Sequence, residues 1–406
     1  MRYFASVTAA LRAACLVGSA AVTVARPARG QSTGTDSTGT VVGIVVTKEG
    51  GVPLGYSTVS IAALSRERFT SADGRFTLGD LPAGPLQLRV RHLGYSPVDL
   101  SVVVHPGSVD TIRVSLAHIA VRLTTMQVRA YPECKNPGIP KRSSDSTFAT
   151  VFDQLHQNAE QYRLLTETYP FVYAVERTMS RVLVNGDAKT DGIDTLLIGS
   201  NRWTYKPGGV VTRDGRTPTA PVMMNIPTLV NFADKSFLEN HCFHNGGLEI
   251  VDGTEMLRVD FIAASRIKEP DVDGSMYLDP ASFQIRRSVL RLTKIPIGLA
   301  GLVETEAVTT FGEVLPSIPV IADIASVNRF RTNPNRPLTD ASSNERQRLI
   351  KVQFVKGMPG DDPKRPDVGA RPAHRTVAVP DVRHIDKLFA RFGDARNSVR
   401  VGLPTR

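Results

Sequence analysis

The chain has little that announces chemistry. Its 406 residues hold three cysteines, eight histidines and only 6% aromatic residues. No Gly-x-Ser-x-Gly, phosphate-binding glycine loop or dinucleotide fingerprint occurs, so nothing in the sequence marks a serine-hydrolase elbow, a P-loop or a Rossmann site. No apolar run approaches the roughly 20 residues that carry a helix across a bilayer. The formal charge is +10, yet residues 1–30 contribute +4 and residues 331–406 contribute +8, which leaves −2 on the 300 residues between. A body of that sign excludes the basic stripe of a nucleic-acid-binding domain.

What is present begins with an export pattern. Arg2 and Arg12 precede a small, apolar stretch from Ala13 to Ala25, followed by Arg26-Pro27-Ala28-Arg29-Gly30. This predicts a secretory signal cleaved after Gly30, a Ser/Thr/Gly-rich spacer over 31–40, and a mature chain of charge +6 in the periplasm, at the outer membrane or secreted. Cys15 is not a lipoprotein cysteine, because Arg12 stands where a lipobox is apolar. Cleavage leaves Cys134 and Cys242, a pair predicted to form a disulfide in an oxidising compartment.

Strand signals then arrive at close intervals: 41–47, 57–64, 75–78, 86–93, 98–104 and 109–116. Leu86-Gln87-Leu88-Arg89-Val90-Arg91 alternates apolar and polar, as a half-buried strand does. Gly50-Gly51, Asp73-Gly74, Pro82-Ala83-Gly84, Gly94 and Pro106-Gly107 supply turns. Six short strands without helical period predict a β-sandwich over 41–118.

The same residues carry a resemblance. Gly43-Ile44-Val45-Val46, Pro53-Leu54-Gly55-Tyr56, Asp73-Gly74-Arg75-Phe76, Leu81-Pro82-Ala83-Gly84 and His92-Leu93-Gly94-Tyr95 resemble, in order and spacing, the carboxypeptidase regulatory-like domain. The resemblance implies a transthyretin-like, carbohydrate-binding-like sandwich, found beside zinc carboxypeptidases and at the N-termini of outer-membrane receptors that work with TonB. Gly43, Pro53, Asp73, Gly74, Phe76, Pro82, Gly84, Gly94 and Tyr95 read as structural positions, with no catalytic role. The attached enzyme is not in evidence: no histidine lies in a His-x-x-Glu or His-Glu-x-x-His setting, and the remaining chain is β-rich. A receptor barrel needs more strands than the remainder supplies.

Residues 119–144, with Pro132, Pro137 and Pro140, read as a connector containing a strand-like stretch over 122–129. Phe148, Val151, Phe152, Leu155, Ala159, Tyr162 and Leu165 then recur at helical spacing behind a cap at Asp145 or Ser146. Extended segments follow over 171–184, 195–198, 209–212, 248–263, 275–278, 284–292 and 303–314, with turns predicted at Asp191-Gly192, Asp214-Gly215, Asp252-Gly253 and Asp273-Gly274. The fold class expected is mainly β: the sandwich, then an α+β domain over 145–330 with one helix covering a long, curved antiparallel sheet. The segment from Asp273 to Arg287 is similar to a hairpin of periplasmic half-barrels of the lipoprotein-carrier type, some of which hold acyl chains.

Three constellations remain. His241-Cys242-Phe243-His244 offers His241 and His244 as weak metal ligands lacking a fourth partner, while Cys242 is claimed by the disulfide. Ser265-Arg266-Ile267-Lys268 matches Ser-x-x-Lys without a following Lys-Thr-Gly. Glu304 and Glu306 share one strand face, read as solvated. Residues 331–406 read as a basic, Pro-rich tail with an edge strand over 349–355 and a short amphipathic helix over 384–392. No cofactor is expected. The reading is a non-catalytic exported envelope protein whose sandwich contacts protein or glycan; the alternatives are a periplasmic carrier or sensor of an apolar ligand, with lipid as partner, and a hydrolase with an unrecognised site.

Overall fold

A computed structural model describes residues 38–120, 133–199, 204–213, 222–296, 299, 301–333, 335, 341–355, 357–360 and 398–399. The signal at 1–30, the strand-like stretch at 122–129, the turn at 214–215 and the helix at 384–392 lie outside the described residues.

Seven strands form the first layer pair: β1 (Thr38–Thr47), β2 (Thr58–Ile61), β3 (Arg66–Phe69), β4 (Arg75–Pro82), β5 (Gly84–Arg91), β6 (Val98–Val104) and β7 (Val109–Leu116). They pair as β4-β1-β7 and β3-β2-β5-β6, with β1 parallel to β7. Alternation places Leu88 and Val90 inside with Val41, Val45, Ile61, Phe76, Val104 and Leu116, and leaves Gln87 and Arg89 outside. The segment expected to be one strand over 57–64 stops at Ile61, because Ala62–Leu64 form a 3-10 turn and Ser65 turns left-handed at φ 49°. The strand that follows, Arg66–Phe69, begins Arg-Glu-Arg and has no apolar alternation to show.

The helix α1 (Ser146–Thr168) is capped by Asp145, whose side chain accepts from Phe148 N at 2.8 Å. Behind it come β8 (Phe171–Val182), β9 (Ala188–Gly199), β10 (Val211–Arg213), β11 (Val222–Met224), a 3-10 turn (Leu229–Ala233), α2 (Lys235–Leu238), β12 (His241–Val251), β13 (Thr254–Ala263), β14 (Val272–Leu278), β15 (Ile285–Leu292), β16 (Leu302–Leu315), β17 (Ile318–Phe330), β18 (Ala341–Phe354) and β19 (Ser398–Val399). One antiparallel sheet runs β12-β13-β14-β15-β16-β17-β18-β8-β9, with β19 beside β18. The apolar stripe of α1 packs on its inner face with Phe261, Met276, Leu290 and Val320. The flank of α1 beside that stripe is buried too, and polar: Gln154 accepts from Gly94 N at 2.8 Å, and Asn158 donates to Phe283 O at 2.8 Å and accepts from Ile285 N at 3.0 Å.

Four sequence expectations are corrected. The edge strand at 349–355 is the end of a fourteen-residue strand, β18, paired with β17 on one side and β8 on the other. The Pro-rich tail therefore does not begin at 331. Residues 341–348 (Ala-Ser-Ser-Asn-Glu-Arg-Gln-Arg) are half-buried or exposed on both faces, so no alternation marks them. Strand β17 was not anticipated either: its first half is apolar and buried without alternation, and its second half, from Ile324, is half-buried on both faces. Asp273-Gly274 is not a turn but lies inside β14, where a Cβ on Gly274 would meet Val289 O at 2.2 Å; close strand approach requires this glycine. Asp191-Gly192 is a β-bulge in β9, while the chain reverses at Asn185-Gly186. Asp252-Gly253 does turn the chain, with φ of 51° and 79°.

Candidate functional site

The family-motif residues are spent on the sandwich. A Cβ on Gly43 would strike the Phe76 ring at 2.4 Å, and Gly74 has φ +76° at the β-turn closed by Gly74 N to Ser71 O. Asp73 accepts from Arg75 Nε at 2.9 Å, and Pro53 bridges to Val46. Pro82 ends β4 and Gly84 starts β5, carrying the chain from one sheet to the other. Gly94 gives its N–H to Gln154, while Tyr95 stands edge-on to His92 and His118, both at 5.4 Å.

A buried Ser–His pair lies beside them that sequence spacing could not show. The Ser57 hydroxyl donates to Leu54 O at 2.9 Å, so at 3.0 Å it accepts from His92 Nδ1. A serine whose proton is committed to a carbonyl, facing an N–H, is a structural contact and not a nucleophile with its base. Burial holds the His92 imidazole at about 4 against its ordinary 6.5. The unfolded chain takes up a proton near 6.5 that the fold refuses until about 4, so stability is lost as pH falls through that window, by at most about 3 kcal/mol. Urea unfolding between pH 7 and 4 should show this slope and His92→Gln should reduce it, the remainder belonging to the other histidines that burial lowers; an unchanged slope in the variant would refute the assignment.

His241 and His244 fall on opposite faces of β12 and do not converge. The His241 ring is fully buried, stacked on Phe237 at 3.9 Å, with Nδ1 2.9 Å from Phe237 O and Nε2 3.2 Å from Val272 O. Asp271 lies 3.7 Å from Nε2 and accepts from Tyr205 Oη at 2.8 Å. Burial pushes His241 below its usual range, against the pull of the two carbonyls and the Asp271 carboxylate. His244 stands opposite Asp260 on the outer face. Among the described residues no group of three or more His, Cys, Asp or Glu could hold a metal ion. Cys134 and Cys242 are joined in a disulfide, with Cα atoms 5.6 Å apart. Ser265 donates to Cys134 O at 3.0 Å, a loop contact. Glu306 pairs with Arg291 at 2.5 Å and Glu304 with Arg329 at 2.8 Å, a cross-strand ladder.

The inner face of the sheet, where an apolar ligand would sit, is filled by the chain itself. Phe232 and Phe237 stand edge-on to Phe261 at 5.6 and 5.5 Å, and Phe152 meets Phe243 at 4.7 Å. A crevice between Met224, Ile226, Pro227 and Leu290 is too narrow for a water molecule. Among the described residues, a groove of about 360 Å³ opens on the outer face of β17-β18-β8. Glu176, Thr178 and Ser180 line one side, Ala325 and Val327 the other, and Asn344, Arg346 and Arg348 the floor. Asp323 accepts from Arg346 Nε at 2.8 Å and lies 3.7 Å from Arg348 Nε, so two guanidinium groups share one carboxylate. The lining is charged and hydroxylated, without an aromatic platform. It escaped the sequence because its parts, spread between residues 176 and 348, come together only through the pairing of β17, β18 and β8, and because the polar run of β18 looks like a loop although the β8 side falls in a segment expected to be extended.

Residues 40–117 match the model of the carboxypeptidase regulatory-like domain, so the N-terminal sandwich is a domain of that class. No curated protein matches the chain. Among solved structures, a cohesin–X-dockerin complex from Acetivibrio cellulolyticus is similar at 21% identity over 19% of this chain and 52% of that chain, with a TM-score of 0.16. The chain thus spans about half the length of that match. A DUF1329 family protein from Desulfovibrio piger is similar at 11% identity over 52% and 93% of the two chains, TM-score 0.28. A proposed outer membrane lipoprotein-sorting protein domain from Vibrio parahaemolyticus is similar at 13% identity over 51% and 94%, TM-score 0.27. At these scores the likenesses carry no argument about this chain.

Proposed function

We propose that the protein is an exported, non-catalytic component of the cell envelope that makes polar contact with a polypeptide or glycan partner, and that the groove on β17-β18-β8 makes this contact. The observation that carries the reading is the contrast between the two sheet faces: the inner one is closed by Phe232, Phe237 and α1, the outer one opens a charged groove of about 360 Å³. The sandwich's motif residues are occupied with its own turns and with Gln154 of α1. Export is supported by the basic-then-apolar start of the sequence and by the Cys134–Cys242 bond, which belongs to an oxidising compartment.

The test is co-sedimentation of the purified protein with washed envelope fragments at physiological salt. Arg346→Ala with Arg348→Ala should weaken it at least about tenfold, since a charge-assisted hydrogen bond contributes about 1.5 to 3 kcal/mol before discounting for exposure. Prior digestion of the fragments with protease or with a glycan hydrolase identifies the partner's chemistry. No sedimentation, or equal sedimentation of the variant, would overturn the proposal.

A further inference from the structure

Three cross-strand rows make the groove on β17-β18-β8. Register places Glu176, Arg348 and Asp323 side by side, then Thr178, Arg346 and Ala325, then Ser180, Asn344 and Val327. Each strand is paired on both sides over that stretch: β8 with β9 and β18, β18 with β8 and β17, β17 with β18 and β16. Their backbone donors and acceptors are therefore occupied in ladders, and an extended peptide finds no edge to pair with. The apolar residues of the lining are Ala325 and Val327, small and half-buried. They form no pocket for the large side-chain anchor that carries most of a polypeptide's binding energy.

The rows do offer uncommitted hydrogen-bonding groups. Among the described residues the side chains of Thr178, Ser180 and Asn344 have no hydrogen-bond partner, and Arg346 and Arg348 meet Asp323 through Nε, which leaves their terminal Nη groups to donate to a ligand. Two guanidinium groups stand against two carboxylates, Glu176 and Asp323, so donors and acceptors are mixed and the rows have no net charge to attract a polyanion or a polycation. A ligand that suits them is neutral and both gives and accepts hydrogen bonds from adjacent atoms. Vicinal hydroxyl groups of a sugar ring do both, and the C–H face of the ring suits Ala325 and Val327. Resting on the reading of this groove as the contact surface, we propose that its partner is a neutral glycan strand of the envelope, held through vicinal hydroxyls by Thr178, Ser180, Asn344, Arg346 and Arg348. Without an aromatic ring to stack on, a single sugar binds weakly, and the repeats of a polymer supply the avidity.

The probe is washed envelope fragments, one portion digested with protease and another oxidised with periodate, which cleaves the carbon–carbon bond between vicinal hydroxyls to two aldehydes as periodate is reduced to iodate; the aldehydes are then reduced with borohydride. Co-sedimentation of the purified protein is expected to survive the protease and to be lost after periodate. The variant Thr178→Val with Asn344→Ala removes a hydroxyl and an amide and leaves every ion pair in place; it should bind at least about fivefold more weakly, since each lost hydrogen bond is worth roughly a factor of 2 to 10. Raising NaCl from about 50 to about 500 mM should change wild-type binding less than about twofold, whereas a charged partner would weaken at least about tenfold. Binding lost to protease but not to periodate, a steep salt dependence, or full binding by the Thr178→Val, Asn344→Ala variant would overturn the neutral glycan while the groove remained the contact surface. Sedimentation indifferent to Arg346→Ala with Arg348→Ala would instead remove the groove itself, and the glycan with it.

Discussion

Replacing Cys134 and Cys242 by alanine is expected to lower the stability of the oxidised protein by roughly 4 to 5 kcal/mol, about 10 °C in melting temperature. The bond closes 108 residues, and the chain-entropy relation assigns a loop of that size this magnitude. The local structure adds a reason for the loss to be felt at β12. Cys134 is packed against Ala264 and Ile267, its carbonyl accepts from Ser265 N at 2.9 Å, and Gly138 N donates to His241 O at 2.9 Å. The bond thus fastens the segment before α1 to the start of β12. Calorimetry of the double variant, and of wild type with and without reductant, checks this; coincident melting of oxidised and reduced protein would refute it.

Asp271→Ala is expected to cost about 3 to 5 kcal/mol, because it removes the acceptor at the centre of a buried polar cluster. The carboxylate is fully buried and accepts from Tyr205 Oη at 2.8 Å, Gly208 N at 3.0 Å and Val272 N at 2.8 Å, with His241 beyond. Alanine removes the acceptor from all three, two of which, Tyr205 Oη and Val272 N, are buried, while Gly208 N is partly open to water. Tyr205→Phe removes only one of these bonds and is expected to cost about 1 kcal/mol, so the ratio of the two effects in urea unfolding tests the account. Equal effects would mean that the cluster acts through packing around Phe237 and not through Asp271.

How much of this was legible depended on whether a residue's neighbours in space were also near in sequence. The sandwich could be read because its strands are short, alternate cleanly and turn at glycines whose φ demands them, Gly74 above all. Helix α1 was legible from its apolar stripe, and its cap from Asp145. The polar flank of that stripe was not, since Gln154 and Asn158 have no evident partner until Gly94 and the 283–285 loop arrive to bond them. The first half of β18 failed for a physical reason: residues 341–348 are half-buried or exposed on both faces, so neither the period of two nor apolar content remains there, whereas β17 keeps its apolar content but shows no strict alternation. The groove lies on that stretch, and so the part of the molecule best suited to polar contact was the part with the weakest strand signal. Asp-Gly pairs misled in the other direction, because in β14 the glycine serves close strand approach and in β9 a bulge, not reversal of the chain.

The claim that the inner sheet face is closed, leaving polar contact to the outer face, is tested most directly by native mass spectrometry of the protein purified from producing cells, followed by titration with N-phenylnaphthylamine. The account expects the mass of the polypeptide alone and no saturable rise in fluorescence. A stoichiometric lipid adduct, or saturable probe binding lost when lipid is restored, would show that the face opens to an apolar ligand and would contradict it.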